Sequence, residues 1–403
     1  MTLPNIEKPF ESPFLNQLVL APSLLPFSDK EIIDLDTNLN QYEQLFLNPD
    51  IERNLISKNE LLASFAISKA ENSALTLQEA QDVYDFVLNN EEYTFISEKL
   101  KAKQKLDKKD YEKLEFFNIA KAFRNYNQNP VDIKDVTPEY IKELHKQLTQ
   151  GLDIFKDYID KFNVYRSGKW RNADDIRVGT YIPAPYKDIE EGVEELLSWI
   201  KKQQSLTSVG IFHTALYALH PFTNGNKRVC RVLEHIFLRS LGINAKNLYS
   251  TSYYYHKEKE RYYKYLLASL EKRNLNHFVS FFQEALVLSI VSVVKTSLEV
   301  KRKEFLDGRD IDGQIKKILE PLVKRHEIQF KNLLKNTYGK IARQTFVTYL
   351  QQATDQGIVT RREQGRNTYY KLNVSTQEEK VLHDLLDIAK AKLTFIPDEI
   401  KLA

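Results

Sequence analysis

Apolar residues recur at helical spacing along most of this chain. Between 58 and 71, Leu61, Leu62, Phe65 and Ala66 fall on one face of a helix. Residues 1 to about 50 carry six prolines and little periodicity, which predicts an extended or short-helix lead-in. Further helices are predicted at 77–88, 109–127, 137–150, 188–202, 209–219, 226–241, 254–272 and 275–308. The fold class is therefore mainly α.

Two of these helices carry local start signals. Thr76 is followed three residues later by Glu79, which is typical of a capping box. Thr137 is followed by Pro138, and proline suits the first helical position.

The helical pattern stops between 165 and 185. Apolar residues at Ile176, Val178 and Tyr181 are followed by Pro183 and Pro185. An alternating run that prolines close predicts a short β-hairpin or flap.

A different pattern follows the long helix. Helices are predicted at 314–323, 328–334 and 342–356, and strands at 358–362 and 367–372. Three helices and a hairpin are the order of a winged helix-turn-helix domain. A closing helix is predicted at 376–391.

Composition and charge narrow the class of protein. A chain of 403 residues predicts two or three domains. The only cysteine, Cys230, excludes an internal disulfide, and we find no zinc-binding Cys/His spacing. With no signal-peptide pattern, and an apolar run at 285–294 too short to cross a bilayer, we expect a cytoplasmic protein without a membrane span. Residues 301–372 are strongly basic, which indicates either a polyanion partner or a solvated surface.

The chemistry concentrates between residues 220 and 231. Pro221 ends a helix near His220, Gly225 allows a tight turn, and a new helix begins near Asn226. The first turn of a helix presents backbone N–H groups that bind anions. This loop therefore predicts a phosphate site.

Side chains around the loop suit phosphate transfer. His220 can take a proton from an attacking hydroxyl. Lys227 adds positive charge, and Arg228 and Arg231 share a helical face. Asn224 offers an amide to a metal ion or a phosphate. Together they supply a base, an anion cradle and cationic clamps.

The segment resembles the Fic-family motif His-x-Phe-x-(Asp/Glu)-Gly-Asn-(Gly/Lys)-Arg-x-x-Arg, and the resemblance covers about 110–290. It implies a helical-bundle core with a flap, and transfer of AMP from ATP with Mg²⁺ to a Ser, Thr or Tyr hydroxyl of a target protein or of the chain itself. His220 is then the base, and Phe222 anchors the loop. The implied nucleotide contacts are Gly225, Asn226, Lys227, Arg228, Arg231, Tyr254 and Tyr262, and the implied target flap is Thr180, Tyr181 and Ile182.

Two positions depart from that motif. Asn224 stands where the family has its metal-binding acid, and a neutral amide is a weaker Mg²⁺ ligand than a carboxylate. Lys227 stands where many adenylylating members have glycine, and it resembles the death-on-curing branch, whose members phosphorylate their targets. Transfer of AMP and transfer of phosphate both stay open, with AMP favoured because the flap resembles the adenylylating branch.

A partial match to the family's inhibitory helix precedes the core. Glu71 and Asn72 match it, while Ile67 stands at the hydroxyl position with Ser68 beside it. The resemblance implies that Glu71 pairs with Arg231 in place of a phosphate. The alternative is an exposed glutamate at a helix end.

The resemblance and the patterns give a domain plan. It comprises an N-terminal region with the inhibitory helix near 58–72 (1–108), a Fic core (109–295), a linker helix (296–312), a winged helix-turn-helix (313–375) and a C-terminal helix (376–403). The winged helix either binds DNA or mediates dimerisation or target binding, and a homodimer is expected. A DNA-binding regulator with an inactive core is the alternative for the whole chain. The predicted DNA contacts are Lys340, Arg343, Gln344, Arg361, Arg362 and Arg366.

Overall fold

A computed structural model describes residues 5–46, 49–70, 73–89, 91–336, 341–374 and 376–401. The chain is mainly helical, as the sequence predicts. The helices up to residue 307 are α1 (Asp29–Phe46), α2 (Pro49–Lys69), α3 (Leu77–Leu88), α4 (Phe95–Lys101), α5 (Lys108–Gln128), α6 (Pro138–Thr149), α7 (Ile189–Gln203), α8 (Leu206–Leu219), α9 (Asn226–Ser240), α10 (Thr251–Lys257), α11 (Lys259–Glu271) and α12 (Asn276–Asp307).

Local signals set the helix starts where the sequence carries them. The Thr76 hydroxyl accepts a hydrogen bond from the Glu79 backbone N–H at 3.3 Å, and the Glu79 carboxylate accepts one from the Thr76 N–H at 3.0 Å. The capping box at α3 is therefore confirmed. The Thr137 side chain caps α6, with Pro138 at the first helical position, as predicted.

Three helical predictions up to residue 307 need correction. The lead-in contains an 18-residue helix, α1, in which Ile32, Leu35 and Leu39 are buried. The helix α4 was not predicted, because its seven residues are too few to show periodicity. The predicted helix at 254–272 is two helices, because the chain breaks at Glu258, which ends α10 and precedes α11.

The flap is a loop rather than a pair of strands. The described residues between 164 and 185 contain one isolated bridge, between Val178 and Tyr181. The predicted hairpin is reduced to this contact, in which the N–H of each residue donates to the carbonyl of the other at 3.0 Å. Pairing stops there because Pro183, which would lie opposite Ile176, has no N–H to donate.

Shorter elements follow α12. They are α13 (Gly313–Leu319), α14 (Pro321–Lys324), β1 (Ile328–Gln329), α15 (Phe330–Asn336), α16 (Arg343–Asp355), β2 (Val359–Gln364), β3 (Asn367–Leu372), α17 (Gln377–Lys392) and α18 (Asp398–Lys401). Pro321 separates α13 from α14, which were predicted as one helix. The helix predicted at 328–334 begins only at Phe330, after β1. The strands form an antiparallel sheet in the order β1-β3-β2, and the predicted hairpin is present. Assignment of these elements to a winged helix domain stays a prediction.

The chain divides into two compact units. One takes residues 1–38 and 48–289, and the other takes 39–47 and 290–403. In the first, α8 is buried along its whole length. Gly210 of this helix faces Phe282 of α12, and a Cβ there would lie 2.8 Å from the ring. In the second, Phe346 and Leu350 of α16 pack with Ile315 of α13 in a separate apolar core.

Helix α12 contains the apolar run that the sequence analysis identified. Among the described residues it alone is long and apolar enough to cross a membrane. Most of its apolar window is buried within the protein. The run 285–294 was expected to be too short to cross a bilayer, whereas the helix that contains it is long enough. Its burial is that of a core helix.

Candidate active site

The α8–α9 turn presents the motif. His220 follows the last residue of α8 with φ +50°, and its N–H donates to the Leu216 carbonyl at 3.1 Å. Gly225 precedes α9 with φ +83°, a left-handed conformation that glycine adopts readily. Between them, the Asn226 amide accepts from the Phe222 N–H at 2.9 Å and donates to its carbonyl at 2.7 Å. The Asn226 side chain therefore closes the loop, and its backbone N–H is the part that can meet a phosphate.

His145 of α6 supports this loop from below, and the sequence analysis missed it. Its ring stacks on Phe222 with centroids 3.8 Å apart and an interplanar angle of 5°. Nδ1 accepts from the Gly168 N–H at 3.0 Å, so the proton sits on Nε2, which donates to the Asn224 carbonyl at 3.0 Å. Burial lowers the pKa of His145 to about 3, which keeps the ring neutral. His145 thus joins the turn between α8 and α9, through Asn224, to the flap, through Gly168.

The close fit explains why residue 225 is glycine. A Cβ at Gly225 would lie 3.2 Å from His145 Nε2 and 3.6 Å from Arg228 Nη2. Both the space and the positive φ disfavour any side chain here.

The start of α9 forms the anion site. The N–H groups of Asn226 and Lys227 lie in its first turn, where the helix supplies no carbonyl partner and its dipole adds partial positive charge. Lys227 is half-buried, with Nζ 5.0 Å from the centre of the Tyr263 ring. A lysine and a helix N-terminus together attract phosphate.

Arg228 points into the core. Its guanidinium is fully buried, 3.0 Å from a Glu115 carboxylate oxygen, and donates to the Tyr165 hydroxyl at 2.9 Å. Tyr111 also donates to Glu115, at 2.8 Å. In this conformation Arg228 braces α5 and the start of the flap. Direct contact with nucleotide phosphates stays a prediction for this residue.

Arg231 lies between aromatic rings and the end of α2. Its guanidinium carbon is 4.5 Å from the Tyr262 ring centre and 5.4 Å from that of Tyr255. Nη1 donates to the Ala66 carbonyl at 3.1 Å. Because Tyr262 is fully buried, it supports Arg231 from beneath rather than presenting a surface to a nucleotide.

A buried polar network holds these rings. Glu234 accepts from Tyr255 at 3.1 Å, and its other oxygen lies 2.6 Å from His213 Nδ1. His213 Nε2 is 3.3 Å from the Tyr262 hydroxyl. The last predicted nucleotide contact, Tyr254, is buried and donates to Glu284 at 2.7 Å.

The motif does not fit a protein-held Mg²⁺ ion. The Asn224 amide oxygen accepts from the Gly225 N–H at 2.8 Å, and the Asn224 carbonyl accepts from His145. The described part of the chain contains no group of three or more His, Cys, Asp or Glu side chains that could hold a metal. Carboxylates are the ligands that Mg²⁺ prefers, so the predicted metal role of Asn224 lacks support in the donor set.

The predicted flap residues differ in exposure. Tyr181 is buried and donates to the Ala218 carbonyl at 3.2 Å, and burial raises its pKa to about 12. Thr180 is exposed and bonds to Glu271. Ile182 is 57% exposed, which makes it the apolar side chain available to a target.

The predicted inhibitory residues Glu71 and Asn72 lie outside the described residues. The chain before them is placed by two contacts. Ala66 of α2 meets Arg231, and the Tyr263 hydroxyl donates to the Ala70 carbonyl at 2.7 Å. The end of α2 therefore lies against α9 and α11.

The predicted DNA contacts are only partly grouped. Lys340 lies outside the described residues. Arg343 and Gln344 are exposed at the start of α16, and Arg366 is exposed between β2 and β3. Arg361 pairs with Glu363 and Arg362 with Glu327, which reduces their charge towards a partner.

Cys230 is a packing residue of α9. It is buried, and burial raises the pKa of its thiol. A thiol in this state is a poor nucleophile.

Part of the chain is similar in sequence to known proteins. Residues 135–238 match the Fic/DOC family model. A probable protein adenylyltransferase of Aquifex aeolicus is 24% identical over 136 residues, 32% of this chain and 39% of that protein, so the match spans about two fifths of that relative.

The chain is also similar, at low sequence identity, to solved structures of Fic proteins. A Fic family protein from Desulfovibrio desulfuricans has a TM-score of 0.49 at 17% identity, covering 88% of this chain and 99% of that one. Fic-1 from C. elegans has a TM-score of 0.48 at 14% identity, covering 68% and 73%. Because both TM-scores are below 0.5, the similarity of this chain to the Fic/DOC family rests on the motif and on the match of residues 135–238.

Proposed function

Since residues 135–238 form a domain of the Fic/DOC family, we propose that this chain transfers AMP from ATP to a serine, threonine or tyrosine hydroxyl of a protein. The observation that carries the proposal is the α8–α9 turn. It holds a histidine at one end and a helix N-terminus with a lysine at the other.

In the proposed reaction His220 takes the proton of the target hydroxyl. The oxygen then attacks the α-phosphorus, the bond from that phosphorus to the bridging oxygen breaks, and pyrophosphate leaves. The N–H groups at the start of α9, Lys227 and Arg231 stabilise the negative charge that develops. No step is assigned to a protein-held metal; an accompanying Mg²⁺ ion would be carried by the ATP phosphates.

ATP labelled at the α- or the γ-phosphate tests this reaction. Purified wild type, Glu71→Gly and His220→Ala are incubated with candidate protein substrates, including the chain itself. Label from the α-phosphate alone, lost in His220→Ala, supports AMP transfer. Label from the γ-phosphate alone supports the kinase-like alternative that Lys227 favours. Transfer of neither label, even by Glu71→Gly, would leave a regulator with an inactive core as the better account.

We also propose that Glu71 inhibits this reaction by pairing with Arg231. The contacts of Ala66 with Arg231 and of Ala70 with Tyr263 support it, because the chain leaves α2 beside the arginine. A carboxylate there competes with phosphate for the guanidinium.

Glu71→Gly is expected to raise the transfer rate at least about tenfold, because an Arg–carboxylate bond of about 1.5–3 kcal/mol is lost. Glu91→Gly, at an exposed position between α3 and α4, is the control for a changed carboxylate elsewhere. An unchanged rate in folded Glu71→Gly would remove the inhibitory role.

A second candidate function is DNA binding by residues 313–375. The order of helices α13 to α16, followed by the β2–β3 hairpin, supports it, as does the exposure of Arg343 and Gln344 at the start of α16. Titration of a DNA duplex at rising salt tests it, with Arg343→Ala as the variant. Binding that weakens with salt and with the substitution supports this function, whereas absence of binding at low salt points to a protein-binding role.

A further inference from the structure

Arg171 ties the base of the flap to the turn that carries His220. The residue lies in the flap, outside the motif, and is only 4% exposed. Nε donates to the His220 carbonyl at 2.8 Å, and Nη2 reaches the Leu219 carbonyl at 3.4 Å. The Arg171 backbone N–H donates to the Pro221 carbonyl at 2.9 Å. Three consecutive carbonyls of the turn are therefore held by one residue.

The same guanidinium holds both ends of the flap. Nη1 donates to the Ala173 carbonyl at 2.8 Å and to Asp174 at 3.0 Å, and Nη2 also donates to the Ala184 carbonyl. Together with the bonds to the carbonyls of His220 and Leu219, these contacts occupy all five N–H donors of the Arg171 side chain. A lysine, with three donors on one nitrogen, cannot reproduce the pattern.

The turn needs such support. His220 has φ +50°, and a left-handed conformation costs a residue with a Cβ about 1–2 kcal/mol. Such strain persists only where surrounding contacts determine the backbone. The carbonyls of Leu219 and His220 also end α8, where a cation is favourable. Arg171 satisfies both requirements at once.

We propose that Arg171 is a positioning residue that makes the flap and the His220 turn one mechanical unit. The imidazole is then aligned only while the flap is in place, so a target that docks on the flap meets a prepared base. The inference rests on the proposed function for its kinetic consequence. Its geometric consequence, a turn that loosens when the guanidinium is lost, is independent of the reaction.

The test compares Arg171→Met and Arg171→Lys with Arg177→Met, which changes an exposed arginine of the same flap. For both Arg171 variants we expect kcat of the transfer to fall about 100-fold, the cost of a misplacement of about 1 Å. ATP affinity, measured by calorimetry, should change less than about twofold, since the start of α9 is untouched. A residue that merely stabilised the fold would lower binding and kcat together.

A second readout does not depend on activity. Modification of His220 by diethyl pyrocarbonate, followed by peptide mass spectrometry well below the melting temperature, should be slow in wild type and Arg177→Met and faster in Arg171→Met. If Arg171→Met does not fold, Asp174→Ala loosens only the flap side, where Asp174 also accepts from the Tyr186 N–H at 2.7 Å. It should show the same changes in smaller measure.

The outcomes separate the two proposals. Faster modification without any transfer by wild type or by Glu71→Gly would support the Arg171 tie and overturn the proposed reaction. Unchanged modification and unchanged kcat in the folded variants would overturn the tie, whatever wild type transfers. A proportional loss of ATP binding and kcat would also overturn it, because Arg171 would then serve the fold as a whole.

Discussion

At the scale of single residues, Asn224 leaves the motif without a carboxylate for a divalent cation. Its two oxygens accept hydrogen bonds from Gly225 and His145, and the charged side chains of the motif are all cationic. The site is thus suited to anions, and in the proposed reaction a divalent cation would arrive with the nucleotide.

Asn224→Asp should make nucleotide binding more dependent on Mg²⁺. The added carboxylate is a hard, charged ligand of similar shape. We expect ATP affinity to rise about tenfold between chelator and millimolar Mg²⁺ beyond the wild-type change, which corresponds to about 1.4 kcal/mol. Calorimetric titration of ATP measures it. Asn224→Ala serves as the neutral control, and an equal response of all three proteins would contradict the role assigned to residue 224.

Among the residues of the site, the motif was predictable and its supports were not. His220, Gly225 and Asn226 lie in one short segment whose spacing carries the signal. His145 and Arg171 lie outside that segment and meet it only in the folded chain. A histidine near a helix end or an arginine in a loop has no local pattern that reveals such a contact.

At the scale of elements, the site depends on how closely α8 is packed. Gly210 allows α12 to approach, because Phe282 fills the place of a side chain. On the other side, a Cβ at Gly192 of α7 would lie 2.7 Å from a Leu219 methyl. The helix that ends at His220 is therefore held on two faces.

Gly210→Ala should destabilise the protein. Overpacking against the Phe282 ring costs about 1–3 kcal/mol, which exceeds the helix propensity of about 1 kcal/mol that alanine gains. Gly313→Ala is the matched control, because nothing lies within 4 Å of its added Cβ. We expect a net loss of about 1–2 kcal/mol for the first and less than about 0.5 kcal/mol for the second, by chemical denaturation. Equal stability of the two variants would refute tight packing at Gly210.

Element boundaries were predictable where the determinant is local. The start of α3 follows from the Thr76–Glu79 box, and the start of α6 from Thr137 and Pro138. The break at Glu258 has no proline or glycine to mark it. The predicted hairpin of the flap is reduced to the Val178–Tyr181 bridge. The contacts of Arg171 and Asp174 with the flap backbone appear only in the tertiary structure.

At the scale of the whole molecule, acid should weaken the fold. Burial lowers the pKa of both His145 and His235 to about 3, from an ordinary value of 6.5. Below pH 6.5 the unfolded chain binds protons that the folded chain excludes, so stability is lost as the pH falls from 6.5 towards 3. Each histidine contributes about 1.4 kcal/mol per pH unit. Asp36, whose pKa burial raises, opposes this trend.

Urea unfolding of wild type and His145→Gln between pH 7 and pH 4 checks this expectation. Wild type should lose stability with falling pH. The variant should start lower, because it loses the stack on Phe222, and it should have a shallower slope. Equal slopes would show that His145 is protonated in the folded state at mild acidity.

Homodimer formation stays a prediction for the whole molecule.

Because Cys230 is buried, the rate at which a thiol reagent labels it reports local opening of the protein. Cys230 lies one turn into α9, and a thiol reagent reaches it only when that helix separates from its neighbours. The labelling rate then measures the free energy of this local opening. A ligand held at the start of α9 would slow the labelling by the factor 1 + [L]/Kd. The labelling rate of Cys230 would therefore give the affinity of any candidate nucleotide, without a transfer reaction or a target protein.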